Sequence, residues 1–127
     1  MKPETGEWVQ KAEGDFQVAG REMQASMPVY DAVCFHAQQC VEKYMKALLV
    51  ERDIPFPKTH DLIVLLDLCV GVMPELTSQR PQMASLGAYA VAFRYPGEAA
   101  IAQDAEEAQK IMNVVRSFLR CRLGLQK

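Results

Sequence analysis

Apolar residues recur at spacings of three and four along most of the chain, and no segment alternates with a period of two. Helices are therefore expected throughout. Trp8, Ala12, Phe16, Ala19 and Met23 form one stripe, predicting a first helix that starts near Thr5 or Gly6, with Thr5 as its N-cap. Pro28 is expected to end it, because proline disfavours a helical residue before it. A second helix is predicted from about Asp31 to Arg52, with Val33, Ala37, Val41, Met45, Leu48 and Leu49 on its core face, joined by Cys40 and Tyr44. Two prolines in Ile54-Pro55-Phe56-Pro57 stop it, since each removes a backbone donor and fixes φ. Leu62, Ile63, Leu65, Leu66 and Cys69 then predict a third helix, with Thr59 as N-cap and Gly71 and Pro74 closing it. Residues 74–82 are expected to form a loop with a helical turn. Met83, Leu86, Ala90 and Phe93, with Tyr89 alongside, mark a fourth helix, ended by Arg94-Tyr95-Pro96-Gly97. From about Glu98 to Leu123, Ile101, Ala105, Ala108, Met112, Val115 and Leu119 repeat at alternating steps of four and three, an a/d seam. The expected architecture is all-α, a four- to five-helix up-down bundle of one domain over residues 1–127.

The second helix has two different faces. Opposite its apolar side run His36, Gln39, Lys43 and Lys46, at i, i+3, i+7 and i+10. After the proline loop come Lys58, Thr59, His60 and Asp61. These two stretches hold both histidines of the chain and three of its lysines, so a small or anionic ligand is expected near them.

Composition narrows the choice of partner. A net charge of −2 and a pI near 5.7 give no global basic field for nucleic acid, so phosphate binding needs a local cluster. The four cysteines show no CxxC spacing, which argues against zinc, and all four are expected to be reduced, mostly buried small hydrophobes. Cys34 and His36, two apart on a helix, point apart and cannot share a metal. No Gly-rich phosphate loop or nucleophile elbow is present. The first residues lack an apolar signal region and no run reaches the length of a membrane span, so the cytoplasm is the expected compartment, with no membrane partner.

Several pieces of the chain resemble the HEPN family of small helical-bundle proteins. Trp8, Ala12 and Asp15 look like its opening W-x3-A-x2-D. Tyr30-Asp31 followed by Cys34-Phe35-His36-Ala37-Gln38-Gln39, then Glu42-Lys43 and Lys46-Ala47-Leu48-Leu49, look like its second-helix signature. Lys58-Thr59-His60-Asp61-Leu62 resembles the loop that follows, and Arg94-Tyr95-Pro96 the turn before the last helix. The resemblance implies an up-down bundle, commonly homodimeric. It also implies one of two functions: metal-independent RNA cleavage by an Arg-x(4–6)-His motif, or, where that motif is missing, nucleotide binding or action beside a small nucleotidyltransferase. This chain departs from the ribonuclease pattern. Arg21 lies far before His36, seven residues including two prolines separate Arg52 from His60, and no histidine follows Arg94. Metal-free RNA cleavage needs a proton-transfer group and a cation on the phosphate, which that spacing would supply.

The expected ligand-binding residues are Lys43, Lys46, Lys58, His60, Arg94, His36 and Tyr95, with no catalytic residue and no metal. Each also has a structural reading. Lys43 and Lys46 suit a solvated face, with Glu42 and Lys46 as an i,i+4 ion pair. His36 could be an acid–base group or a polar residue at a dimer seam. His60 is expected in the first turn of the third helix, where a neutral ring and free N–H groups could meet a phosphate. Arg94 suits a helix C-terminus, and Tyr95 could stack on a base or simply pack. The expected function is a non-catalytic HEPN protein that binds a nucleotide or other anion and partners a small nucleotidyltransferase, as in a toxin–antitoxin-like module. The alternatives are an RNA-cleaving toxin with a degenerate site at His36, His60 and Arg94, and a ligand-free interaction module. Self-association through the seam of the last helix is expected, and RNA is not the favoured partner.

Overall fold

The structure, a computed structural model, describes residues 1–126. It is all-helical: α1 Pro3–Met23, α2 Tyr30–Glu51, α3 Leu62–Val70, a 3-10 helix Pro74–Gln79, α4 Arg80–Ala92 and α5 Ala102–Arg122. The expected bundle is the one observed.

α2 is the central element, packing against α1, α5, α3 and α4. Its buried residues therefore occupy most of its circumference rather than one stripe: Val33, Ala37, Val41, Met45, Leu48 and Leu49, but also Gln38, Glu42 and Lys46. A helix surrounded by others keeps little solvent face, so most polar residues on it become interior seams and need partners there. Among the described residues every buried side-chain nitrogen and oxygen is hydrogen-bonded.

α1 runs antiparallel to α2. Thr5 Oγ1 donates to Glu51 (2.9 Å) at one end, and Lys43 Nζ to Asp15 (2.6 Å) further along. Thr5 is not the N-cap. Pro3 takes the first helical turn, where its missing N–H is no loss, and Thr5 is buried against α2. The helix also stops at Met23, before Pro28, and Glu22 caps the next segment by accepting from the Val29 N–H (2.9 Å).

The chain then doubles back. From Asp53, which has a positive φ of 57°, the Ile54–Asp61 loop returns along α2 until the His60 carbonyl accepts from Gln38 (3.1 Å). That is about 20 Å at 1.5 Å per helical residue. The loop is pinned on the way by Phe56, whose ring meets Trp8 edge-on at 6.4 Å. α3 starts only at Leu62. Its N-cap is Asp61, not Thr59: Asp61 Oδ1 accepts from Ile63 (2.9 Å), while Thr59 Oγ1 accepts from Asp61 itself (3.0 Å). His60 therefore precedes the helix rather than lying in its first turn.

The seam of the last helix closes inside the bundle. Ala105, Ala108, Met112, Val115 and Leu119 are buried, mainly against α2, and Ile111 joins them. Ile101 is exposed at the N-cap, where Asp104 accepts from its backbone N–H (3.0 Å). The apolar face from which self-association was expected is thus covered by the protein's own second helix. What α5 leaves outside is Val114 and Phe118, one turn apart.

Candidate functional site

The polar side of α2 splits into two seams. Towards α1, Asp15 is held between His36 Nδ1 (2.7 Å) and Lys43 Nζ (2.6 Å), so these two of the four residues of the predicted stripe face a carboxylate rather than open solvent. Towards the loop and α4 run Phe35, Gln38, Gln39 and Glu42, at i, i+3, i+4 and i+7 on one face.

Glu42 is the centre of that second seam. It is 2% exposed, and Lys46, at 8%, sits one turn away with its ammonium 3.0 Å from the carboxylate. Lys46 also lies over the rings of Trp8 (5.3 Å) and Phe56 (5.9 Å), which lower the cost of removing its charge from water. The pair is thus a buried ion pair, not a solvated one, and Lys46 is not available at the surface. Gln38 Nε2 adds a contact to Glu42 at 3.3 Å, and His60 Nδ1 lies 3.0 Å from Oε1. A carboxylate only accepts, so His60 donates to Glu42 through Nδ1, and when the ring is neutral its Nε2 is left as an acceptor. The His60 side chain is itself 81% exposed: it is anchored from beneath and presented outward.

His60 borders two adjoining clefts. The smaller, about 200 Å³, is lined by Phe35, Gln38, Gln39, His60 and Arg94, with Gly87, Ala90 and Val91 of α4 forming its wall. The larger, about 500 Å³, runs from His60 and Asp61 along α3 to Met83 and Gly87. Gly87 and Val91 line both. Small residues on α4 keep the clefts open beside α2 and α3.

Of the residues expected to converge, the structure brings His60 and Arg94 to one cleft. Lys43 and His36 go to Asp15, and Lys46 goes under Trp8. Lys58 is exposed on the loop two residues before His60, and Tyr95 is exposed beside Arg94. The geometric expectation failed for the two helix lysines because α2 is central, so its polar stripe faces α1 and the loop. Phe35, Gln38 and Gln39 line the cleft and Glu42 anchors His60 beside it; all four stood in the helix signature, but none was expected among the ligand-binding residues. Their i, i+3, i+4, i+7 spacing was the available signal, masked by the mixture of aromatic, amide and acid.

A third polar cluster was also missed. Glu13 takes both guanidinium contacts of Arg116 at 2.7 Å, together with the Tyr44 hydroxyl, while Arg120 donates to Tyr44 at 3.0 Å. The Arg116 hydrogen bonds hold the Glu13 carboxyl below its ordinary range, against partial desolvation. Burial and then the Glu13 contact push the Tyr44 phenol upward. Phe16 stacks under the Arg116 guanidinium at 3.9 Å. The cluster ties α1, α2 and α5 together and opens to no cleft beside His60.

The HEPN domain family model matches residues 5–125. This chain belongs to the HEPN domain family. "Putative toxin MJ1304" of Methanocaldococcus jannaschii is 27% identical to this HEPN chain, over 94% of it and 91% of the archaeal protein. The crystal structure of TT1696 from Thermus thermophilus superposes with a TM-score of 0.74 at 19% identity, covering 94% of this chain and 98% of that one, a likeness of fold. The signature residues now have physical roles. Asp15 joins α1 to His36 and Lys43, Asp31 accepts from the Ala100 N–H (2.7 Å), and Glu42 anchors His60. Among the described residues no three His, Cys, Asp or Glu side chains gather as a metal site would require, and no helix is long and apolar enough to cross a membrane.

Proposed function

We propose that this HEPN protein binds a nucleotide or similar phosphate-bearing anion at the cleft between α2 and α4, and serves in a toxin–antitoxin-like module beside a small nucleotidyltransferase. The observation that carries the binding reading is the meeting of His60 and Arg94 at one cleft. Glu42 beneath His60 is already neutralised by Lys46, so Arg94 contributes an uncompensated positive charge. Lys58, two residues from His60, adds to the local potential, and Tyr95 extends the rim. The module reading rests on the name carried by the archaeal relative and on family membership. Self-association would use Val114 and Phe118 on the outward side of α5 rather than its a/d seam.

Titration calorimetry with inorganic phosphate and ATP tests the binding reading. Affinity is expected in the micromolar to millimolar range, weakening with salt because the charges are exposed, and Arg94→Ala is expected to reduce it about tenfold. Absence of heat at millimolar ligand would refute it. The same juxtaposition supports a second reading, RNA cleavage, since it places an imidazole and a guanidinium at one cleft. Cleavage of single-stranded RNA in EDTA that disappears in His60→Ala would favour that reading over pure binding.

A further inference from the structure

We infer that Phe35 is a stacking platform for a nucleobase, so that the cleft selects base-bearing phosphates over bare ones. The inference rests on the anion-binding reading and specifies its ligand. Phe35 is a large aromatic side chain left 42% exposed on a helix whose other apolar residues are mostly buried, and it lines the same cleft as His60 and Arg94. It is not a loose surface ring. The His36 imidazole abuts it edge-on, with ring centroids 5.2 Å apart at 86°, and His36 is in turn fixed by Asp15 at 2.7 Å. Asp15 is held by Lys43. The seam towards α1 therefore acts as the rear support of the ring, which gives His36 and Lys43 a part in the site without touching the ligand.

The polar groups beside the ring suit a base edge. Gln38 is fully engaged: its amide nitrogen donates to the His60 carbonyl and to Glu42, and its oxygen accepts from Gln39 Nε2 at 2.7 Å. That last bond orients the Gln39 amide, leaving its oxygen and its second N–H for a donor–acceptor pair on a base. A nucleoside monophosphate would lie with its base against Phe35, its edge at Gln39 and its phosphate between His60 and Arg94. Aromatic stacking tolerates any base, because every base has a π-face, and its truncation typically costs an order of magnitude in affinity.

The experiment compares AMP, ribose 5-phosphate and inorganic phosphate by calorimetry on the wild type, Phe35→Ala and Phe35→Trp. AMP is expected to bind roughly tenfold more tightly than ribose 5-phosphate. Phe35→Ala should erase that ratio and leave the affinity for inorganic phosphate unchanged, and Phe35→Trp should keep the ratio. Circular dichroism of each variant separates loss of stacking from loss of fold. Equal binding of AMP and ribose 5-phosphate by the wild type would overturn the platform while leaving the anion site intact. Binding of AMP to Phe35→Ala at wild-type strength would overturn it too. No binding of any of the three at millimolar concentration would remove the anion site and the platform together.

Discussion

Two carboxylates on opposite sides of α2 show how this protein uses polar groups. Glu13, reaching in from α1, is met by Arg116, Tyr44 and Arg120, so its contacts end inside the bundle. Glu42, on α2 itself, is met by Lys46 and Gln38 from the interior, but its last contact is His60, whose ring stands in solvent. The first cluster joins three long helices. The second ends at a loop and at α4, which carries Gly87, Ala88 and Ala90 where bulkier side chains would close the cleft. The same chemistry, a carboxylate amid cations, thus serves cohesion on one side and presentation on the other.

The sharpest way to break this contrast is at Glu42. Glu42→Ala should destabilise the fold by about 3 kcal/mol, because it leaves the Lys46 ammonium buried without its counter-charge. It should also release His60. Urea denaturation measures the first effect, and a fall in phosphate affinity measures the second. Arg116→Ala should cost less, about 2 kcal/mol, since Glu13 retains Tyr44 and Arg120 and is about a quarter exposed. Phosphate affinity should not change in that variant. If it falls with the stability, the two sides are coupled and the contrast is wrong.

Acid sharpens the comparison further. The Glu13 carboxyl is held below its ordinary value in the folded state, chiefly by Arg116, so the folded protein binds fewer protons there than the unfolded chain. Its contribution is present above the ordinary glutamate range, near pH 4.5, and is lost as pH falls through the depressed folded value. The acid limb of a stability–pH profile should be shallower in Arg116→Ala than in the wild type, a difference of about 1 kcal/mol or less. The smallest expected effect on stability is that of Arg94→Ala. Arg94 is exposed, so the change should stay within about 0.5 kcal/mol while binding weakens. A large loss of stability there would mean that Arg94 belongs with the cohesive groups.

The helices were legible because burial imposes a period of three to four. Val33 to Leu49 on α2 and Ala105 to Leu119 on α5 are buried as their spacing requires. Caps were less legible. Thr5, Thr59 and Asp61 all favour helix starts, and only the tertiary contact of Thr5 with Glu51 and the local hydrogen bond from the Asp61 N–H to Thr59 assign their roles. The site was legible in one half. Arg94 and His60 announce themselves as cation and imidazole, and they share a cleft. Lys43 and Lys46 gave the same signal and point elsewhere, because periodicity tells which residues share a helix face but not which neighbour covers it. Glu13, Tyr44, Arg116 and Arg120 lie on three helices, Glu13 and Arg116 being 103 residues apart, and no local spacing could join them.

The strap that carries His60 also bears on the order of folding. Its anchors reach back to the N-terminal segment: Lys2, just before α1, pairs with Asp53 at the foot of the Ile54–Asp61 strap, and Trp8 of α1 packs on Phe56. Neither can form until α1 and α2 have met as a hairpin, and that closure carries its own chain-entropy cost. Docking of the strap is therefore a late event, downstream of the hairpin. Substitutions at Phe56 should accelerate unfolding with little effect on the folding rate, whereas those at the α1–α2 contact of Ala12 should slow folding.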